Sequence, residues 1–357
     1  MAATALRHAK AVLTNKVTLR ILWLLFLGIV VYALLPTLTK MPEQARQALE
    51  IKWYALGIGL GLEVASQVAG MVAFRRVLHS MGVDPCPRGV GLARLWLAQT
   101  TMAAILPGGS VTATVMVTEV LRRGGANVSR AATATGLAKA ISVVALLVFF
   151  VVGLALSIDR LSDTRSPYLT ATIVAVPVLA VGLAVIGAGV ARPSLAGRLT
   201  AALVGPFAHL HKSIDPAASG RRAEELAGLA RTLLASRYGA VTAGISFANW
   251  VLDCAVLVTM LWGLGYLDGV GPVVVAYTVA LISAMLPITP GGIGIVEVIM
   301  TAVLAAFGIP AQIAAIAVIA YRLISFWLVN LVGAFAALTL RRNLAKGPAA
   351  SAAAAPR

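Results

Sequence analysis

The chain has 357 residues, of which 60% are hydrophobic and only 12% are charged. Soluble globular domains carry roughly 25% charged residues, so this composition, with a mean hydropathy of +0.92, excludes an ordinary water-soluble protein. A net charge of +16 would suit nucleic acid. The basic residues flank long apolar runs, however, which indicates a membrane surface and excludes nucleic acid as a partner.

The first apolar run covers residues 21–38. Basic residues precede it without any acidic residue, which predicts a cytoplasmic N-terminus by the positive-inside rule. Because the run is long and lacks a small-residue cleavage pattern, we interpret it as a transmembrane helix and not as a signal peptide. Residues 53–74 then lead back to a basic cytoplasmic loop.

Residues 89–123 are interrupted by a turn at Pro107, Gly108 and Gly109. The apolar piece after this turn is shorter than the ~20 residues that a membrane-spanning helix needs. We therefore predict a re-entrant helical hairpin that enters from the cytoplasm, turns at Pro-Gly-Gly and returns to the same side. Irregular backbone at membrane depth is tolerated only against protein or water.

The next two runs, residues 132–157 and 169–191, predict one helix leading out and one leading back in. The segment 192–237 has an excess of Arg and Lys and is assigned to the cytoplasm. Within it, residues 224–234 have the composition of an amphipathic helix on the membrane surface.

The second half begins with an outward span at residues 238–264. Residues 271–307 are broken at Pro287 and at a second turn of Pro290, Gly291 and Gly292, which predicts a second hairpin, entering from outside. The last span covers residues 311–340 and ends inside. The tail, residues 343–357, is predicted to be disordered.

The predicted fold is therefore all-α and integral to the membrane. One domain, residues 1–357, holds about six transmembrane helices plus two re-entrant hairpins. The arms of the second hairpin could each be a short or tilted span, so up to eight crossings stay open. Both termini are expected in the cytoplasm, and the protein in the plasma (inner) membrane.

The two Pro-Gly-Gly turns belong to a longer repeated pattern. Sixteen residues after Gly109 and Gly292 comes a loop glycine, and thirty residues after each comes an intramembrane cation, Lys139 or Arg322. This predicts repeats of about residues 53–157 and 238–340, which the threading places in opposite orientations. Inverted repeats are typical of transporters with a mid-membrane site made of broken helices. A lone Pro-Gly-Gly would be a packing kink, but matched spacing favours two turns lining one cavity.

Five ionisable residues lie well inside apolar runs, where an unpaired charge costs several kcal/mol. They are Glu63, Asp253, Glu297, Lys139 and Arg322. In one interpretation the carboxylates and cations pair as structural ties. In the other, the two cations bind an anion such as a lipid phosphate, helped by backbone N–H groups at the glycine turns. The carboxylates, with their polar neighbours Gln67 and Asn249, would then balance charge or relay protons.

Several chemistries lack a signature in this sequence. We find no phosphate-binding loop, nucleophile motif or metal-ligand spacing, so no enzymatic activity, cofactor or metal is predicted. Trp and Tyr residues near the predicted interfaces, including Tyr277, are interpreted as membrane anchors.

A family resemblance rests on the two turn motifs. Leu106-Pro107-Gly108-Gly109 and Pro290-Gly291-Gly292-Ile293-Gly294, the latter followed by Glu297 and Tyr321-Arg322, resemble the transmembrane region of lysylphosphatidylglycerol synthase, the flippase-like domain of MprF proteins. The first motif lacks the third glycine and places its glutamate differently. The resemblance covers nearly the whole chain.

The resemblance implies phospholipid- or polyprenyl-type substrates, movement between leaflets, and a place for Tyr321 beside the cations in the substrate site. The sequence ends at Arg357 without an aminoacyl-transferase domain, so we do not expect it to make lysyl-lipid itself.

Three functions follow from these observations. The leading one is a lipid flippase or lipid transporter that moves an anionic phospholipid or polyprenyl-phosphate-type lipid through a polar groove between the hairpins. Since no ATP motif is present, movement would be downhill or ion-coupled. The alternatives are a secondary transporter of a small soluble anion, and an accessory subunit of a lipid-linked glycan or lipid-modifying system with a partner transferase. A homo-oligomer stays open.

Overall fold

Helices form throughout the part of the chain that can be described, because an apolar segment in lipid must satisfy its backbone N–H and C=O groups internally. The computed structural model describes residues 52–106, 109–157, 188, 191–208, 215–285 and 289–345. All of them belong to the unit that begins at residue 51.

In the described part of the first half, four helices are followed by a pair in the basic segment. They are α1 (Trp53–Ser80), α2 (Gly89–Ile105), α3 (Gly109–Arg123), α4 (Val128–Ala155), α5 (Pro193–Ala208) and α6 (Pro216–Leu234). Side-chain caps fix two of these starts. Asn127 Oδ1 accepts from the backbone N–H groups of Ser129 and Arg130 at α4, and Asp215 Oδ1 accepts from Ala217 at α6.

The second half repeats the order of long helix, short pair and long helix. Its elements are α7 (Arg237–Gly263), α8 (Gly271–Ala284), a 3-10 turn (Pro290–Gly292), α9 (Ile295–Ala306), α10 (Ala311–Arg322), a π-helical segment (Leu323–Leu328) and α11 (Val329–Ala345). The π segment joins α10 to α11 without a break, so the last span is one long helix with a local bulge.

Among the described residues, four helices are long and apolar enough to cross a membrane: Trp53–Ser80, Val128–Ala155, Arg237–Gly263 and Ala311–Leu340. They coincide with the predicted spans at 53–74, 132–157, 238–264 and 311–340, which confirms the all-α membrane fold. The spans predicted at 21–38 and 169–191 lie outside the described residues, apart from 188 and 191. α11 reaches Ala345, three residues into the predicted tail, and residues 346–357 again lie outside.

The helices between the spans are short. α2 and α3 have 17 and 15 residues, and α8 and α9 have 14 and 12, each below the ~20 residues of a full crossing. Arg322 Nη2 donates to the Gly291 carbonyl at 3.3 Å, which places the second turn level with the middle of the 311–340 span. This depth is that of a re-entrant hairpin.

The core of the fold is an antiparallel pair formed by α1 and α7. Near one end Tyr54 contacts Trp262, with ring centroids 5.5 Å apart. At the middle Ser66 Oγ and Asn249 Nδ2 are 2.6 Å apart, and at the other end Arg76 Nε donates to Thr242 Oγ1 at 3.0 Å. The contacts therefore run in reverse order along the two helices.

Ser66 and Asn249 are 183 residues apart, and the same offset separates Gly109 from Gly292 and Lys139 from Arg322. The polar residues that precede the turns do not all match in spacing between the two halves. Ser66 and Asn249, however, are related by the same offset of 183 residues as the two turns. An antiparallel contact between equivalent residues lies on a two-fold axis perpendicular to both helices. In a membrane, such an axis lies in the bilayer plane.

The last helix of each half packs against the hairpin of the other half. α4 lies against α8, where a Cβ on Gly153 would be only 2.5 Å from Val274 Cγ1. α11 lies against α2, where Gly333 sits directly against Thr101 and Leu97. Small residues allow this close approach between membrane helices, and the exchange interlocks the two halves.

Basic residues gather at one end of this assembly, which we call the basic end. It is defined by the ends of α1, α3 and α11, the starts of α4 and α7, and helix α6, which carry Arg75, Arg76, Arg122, Arg123, Arg130, Arg221, Arg222, Arg231, Arg237, Arg341 and Arg342. α6 includes the predicted surface helix 224–234, but it also packs inward, with buried Ala230 in the same cluster as Phe74 and Leu137. The opposite end of the described helices carries Lys52 and Asp268.

Candidate functional site

Arg322 is held at the second Pro-Gly-Gly turn by three contacts. Its Nε donates to Glu297 Oε1 at 2.7 Å, its Nη2 donates to the Gly291 carbonyl, and its guanidinium lies 3.9 Å from the Phe326 ring centroid. The Arg322 side chain is 6% exposed and that of Glu297 is 25% exposed. Glu297 Oε2 also accepts from the Gly294 backbone N–H at 2.7 Å, so the ion pair fixes the start of α9 to the last span.

The second turn lies against the end of the first hairpin arm. Gly291 has a φ of +62°, and a Cβ there would come within 2.9 Å of the Ala104 carbonyl oxygen in α2 and 2.7 Å of the Phe326 ring. Gly109, at the start of α3, packs directly on the Ala103 backbone. The two hairpins therefore meet at mid-depth, although Pro107 and Gly108 themselves lie outside the described residues. The side chain of Pro290 does too.

Lys139 occupies an unusual position on α4. Helical spacing puts it on the same face as Thr135, one turn earlier, and Leu146, two turns later, and both of those residues are buried. Lys139 is nevertheless exposed. Val148, which is exposed on α4, lies on the opposite side of the helix. Lys139 thus has an accessible side chain on a side of α4 that also carries the buried residues Thr135 and Leu146.

Lys139 and Arg322 occupy equivalent positions in the two halves but have different surroundings. The offset of 183 that relates them maps Glu297 onto Thr114, whose hydroxyl donates to the Ser110 carbonyl at 2.8 Å. The first half therefore lacks the carboxylate that pairs with Arg322. Within the described residues no hydrogen bond or ion pair holds Lys139, and the structure does not bring the two cations into contact with each other.

A second polar cluster joins α1 and α7 near the two-fold contact. Glu63 precedes Ser66 by three residues, and Asp253 follows Asn249 by four, so the antiparallel pairing places the two carboxyl groups on the same side of that contact. The two carboxyl groups influence each other electrostatically. Glu63 is 2% exposed, and Asp253 is half-buried.

Neutral donors from four helices surround this carboxyl pair. Gln67 Nε2 donates to Glu63 Oε1 at 2.8 Å, and Trp96 Nε1 in turn donates to Gln67 Oε1 at 2.9 Å. The Tyr277 and Tyr321 hydroxyls both donate to Asp253 Oδ2, at 2.6 and 3.2 Å. The cluster therefore links α1, α2, α7, α8 and α10.

Tyr277 corrects one interpretation of the sequence. It was expected to anchor the protein at a membrane interface, but it is completely buried and donates to Asp253. Nothing in the sequence distinguishes it from interfacial tyrosines, because its role depends on the packing of α8 against α7. Trp96 was likewise not predicted as part of the site.

Glu119 lies apart from both clusters, near the basic end of α3. It pairs with Arg122 at 2.8 Å and with Arg123 at 2.7 Å. Hydrogen bonds from Arg122 and Arg123 lower the pKa of Glu119 to about 2. Its depressed pKa means that the contribution of these pairs is complete above the ordinary glutamate pKa and is lost only as the pH falls towards about 2. Glu119 therefore belongs to the surface and not to the site.

Comparison with known proteins assigns the family. Residues 12–333 match the model of the family described as the lysylphosphatidylglycerol synthase TM region. The chain belongs to this family. Membership agrees with the resemblance noted from the turn motifs, and it connects the protein with membrane lipids.

Members of the lysylphosphatidylglycerol synthase TM region family with limited similarity occur in archaea. A UPF0104 membrane protein of Methanothermobacter thermautotrophicus is 30% identical over 90 residues, which cover 25% of this chain and 27% of the relative. A UPF0104 membrane protein of Methanocaldococcus jannaschii is 31% identical over 102 residues, or 29% of this chain and 30% of the relative. The matched segments thus span less than a third of these relatives.

Proposed function

We propose that this protein is a lipid flippase or lipid transporter that moves an anionic phospholipid or polyprenyl-phosphate-type lipid between the leaflets of the membrane. The family supports a role with membrane lipids, and one observation carries the step to an anionic head group. Lys139 is an exposed, unpaired cation on a membrane-spanning helix, on the side that also carries the buried residues Thr135 and Leu146.

Lys139 lies too deep in α4 for its ammonium group to reach water at the membrane surface. It lies 11 residues after Val128 and 16 before Ala155 in α4, which corresponds to about 16 and 24 Å of helix. A lysine side chain cannot extend over either distance to a helix end. A charge at this depth costs several kcal/mol without a partner, and a lipid phosphate would supply one.

The equivalent cations of the two halves have different roles in the proposed site. In the second half Arg322 is committed to Glu297 and the turn, so it stabilises the hairpin where it meets α2. In the first half the equivalent Lys139 is left for the ligand. A lysine suits this task because its ammonium group binds phosphate as a point charge that can be released again. Arg322, Tyr321 and the glycines of the turns then shape the groove.

Replacement of Lys139 by Gln tests the proposal. Purified protein in liposomes that contain fluorescent phosphatidylglycerol should carry the lipid across, and Lys139→Gln should slow this roughly ten- to hundredfold, since a hydrogen bond to a charged group contributes about 1.5–3 kcal/mol. Lys139→Arg should keep most of the rate. Movement is followed by quenching of the outer-leaflet fluorophore.

The control is Lys52→Gln, which removes a lysine at the start of α1, 5.9 Å from the Tyr54 ring, and should leave the rate unchanged. An unaltered rate in Lys139→Gln would overturn the assignment of Lys139. If the wild type moves inorganic phosphate but no lipid, the protein is a transporter of small soluble anions. If it moves neither alone but does so with a co-purifying transferase, it is an accessory subunit.

A further inference from the structure

In each of the Glu63 and Asp253 carboxyl groups, one oxygen accepts hydrogen bonds from the protein and the other does not. One oxygen of each group accepts from neutral protein donors: Glu63 Oε1 from Gln67, and Asp253 Oδ2 from Tyr277 and Tyr321. The other oxygens, Glu63 Oε2 and Asp253 Oδ1, are buried and have no protein donor. These two oxygens belong to carboxyl groups that lie on the same side of the Ser66–Asn249 contact and influence each other electrostatically.

An ionised carboxyl group can only accept hydrogen bonds. Two ionised groups side by side in a buried site would repel each other, and each unsatisfied oxygen would carry a desolvation penalty that no hydrogen bond offsets. A single proton shared by the two carboxyl groups resolves both problems, because it turns one carboxyl group into a donor for the other. The pair then carries one negative charge instead of two.

Among the described residues, no Arg or Lys side chain donates a hydrogen bond to Glu63 or Asp253. Arg322 acts on Asp253 only through its charge, since its Nε and Nη2 are bound to Glu297 and Gly291. The remaining titratable groups that face the pair are the Cys254 thiol and the two tyrosine hydroxyls. Lys139 on α4 has no interaction with either carboxyl group.

The pair also occurs once, although the fold is duplicated. The offset of 183 maps Glu63 onto Ser246 and Asp253 onto Gly70, so the other side of the Ser66–Asn249 contact has no carboxyl groups. The single pair bridges the two halves at their central interface, where a rocking motion of one repeat against the other, as in other inverted-repeat transporters, would change its access to water.

We propose that Glu63 and Asp253 together form a proton-binding site, and that the proton exchanged there drives the movement of the head group. The inference rests on the proposed lipid transport and adds its coupling ion. One proton enters the pair from one side of the membrane, is shared between the two carboxyl groups, and leaves to the other side when the repeats change their orientation. No other atom or electron moves in this step.

Infrared spectroscopy tests the site without reference to transport. The purified wild type should show the C=O absorption of one protonated carboxyl group over the mildly acidic to neutral range, and alkaline buffer should remove it. Glu63→Gln and Asp253→Asn should each abolish this band, because the introduced amide donates to the remaining carboxylate. Correct folding of each variant is checked by size-exclusion chromatography, and the wild-type spectrum is informative even if both variants misfold.

A wild-type spectrum without the band would overturn the proton site. So would a band that appears only when sodium is removed, since that result identifies a sodium site between two carboxylates. Titration of the band with pH at constant sodium, unchanged when potassium replaces sodium, supports the proposal.

Transport in liposomes tests the coupling. With an imposed pH gradient, the wild type should drive fluorescent phosphatidylglycerol into an uneven distribution between leaflets, and an internal pH dye should report proton movement that depends on this lipid. In Glu63→Gln, which leaves Lys139 intact, proton movement should fall at least about tenfold, as expected when the binding group is removed.

The two proposals fail in different ways. If the wild type equilibrates lipid but ignores the pH gradient, coupling is wrong and lipid transport stands. If the infrared band is present but no lipid moves under any gradient, lipid transport and its coupling are wrong, and the proton site stands on the band.

Discussion

Arg322 and Lys139 show how one residue position acquires two roles. Both are cations at the same register in the two halves, but a carboxylate at Glu297 and a threonine at Thr114 give them opposite surroundings. A buried guanidinium with a carboxylate, a carbonyl and an aromatic face is a structural tie. A lysine that lacks these partners is available to a ligand. Of the two interpretations of the intramembrane charges, pairing thus describes Arg322 and Glu297, while it does not describe Lys139.

The tie at Arg322 predicts that even a conservative replacement is harmful. Arg322→Lys keeps the charge but cannot donate to Glu297 Oε1 and the Gly291 carbonyl from one planar group, and it loses the Phe326 stack. We expect a loss of unfolding free energy towards the lower end of roughly 3–5 kcal/mol, because Glu297 is 25% exposed. Unfolding in mixed micelles by titration with SDS measures it.

The matched control is Arg122→Lys, which alters an exposed pair with Glu119 and should change stability little. Combining Arg322→Lys with Glu297→Gln should cost much less than the sum of the single changes, because each removes the same contact. Equal stability of Arg322→Lys and the wild type would show that the ion pair is not a tie.

Charged residues inside membrane helices are easier to find from the sequence than the residues they contact. A charge inside an apolar run is visible without a structure, which is why Glu63, Asp253, Lys139 and Arg322 could all be named. The partner is set by packing: Glu297 is 25 positions from Arg322, and Tyr277 reaches Asp253 only because α8 packs beside α7. The sequence therefore could not show that Arg322 is paired while Lys139 is not. Nor could it show that Glu63 and Asp253 lie together.

At the scale of elements, helix length was the most predictable property and local backbone geometry the least. Hydropathy located all four described spans, because each must cover the hydrocarbon core. The π segment Leu323–Leu328 was not foreseen. It follows Arg322 directly and contains Phe326, so the bulge presents the guanidinium and the ring to the Pro290–Gly292 turn together. Such bulges arise from tertiary demands and have no composition of their own.

The second turn predicts a strict requirement for glycine at position 291. Gly291 has a φ of +62°, and an added Cβ would approach the Phe326 ring to 2.7 Å and the Ala104 carbonyl to 2.9 Å. Gly291→Ala should therefore destabilise the protein by more than the about 1–2 kcal/mol of left-handed backbone strain, since the hairpin must also move away from α2. Titration with SDS again provides the measurement.

Gly61→Ala is the matching control, since a Cβ at this exposed position of α1 meets nothing within 4 Å. It should be neutral or stabilise α1 by up to about 1 kcal/mol, as alanine is the better helix former. If Gly291→Ala proves as stable as Gly61→Ala, the close contact between the two hairpins is not a feature of the folded protein.

For the whole molecule, the important relation is the two-fold axis through Ser66 and Asn249. It pairs α1 with α7 and packs α4 against α8 of the second hairpin and α11 against α2 of the first. It also brings Gly109, at the start of α3, and the second turn to mid-depth. The sequence predicted the duplication from the spacing of Gly109 and Gly292, but it did not show that each half completes its packing with the last helix of the other. That exchange depends on close approaches at Gly153 and Gly333, which composition alone does not identify.

The same symmetry makes a prediction about membrane orientation. The positive-inside rule places the basic end in the cytoplasm, so the start of α1 and the loop after α7 should both face outside. After replacement of Cys86 and Cys254 by serine, single cysteines are introduced at exposed Trp53 and Tyr266 for the outer end, and at Ser80 and Arg222 for the basic end.

A membrane-impermeant maleimide applied to intact cells should label Trp53→Cys and Tyr266→Cys, whereas Ser80→Cys and Arg222→Cys should react only after permeabilisation. Full reversal of this pattern would refute the orientation but keep the fold, because the two ends would still be distinct. Labelling of Trp53→Cys and Tyr266→Cys from opposite sides would refute the antiparallel pairing of α1 and α7. The carboxyl pair between the halves would lose its geometric basis with it, since Glu63 and Asp253 meet only when these helices run in opposite directions.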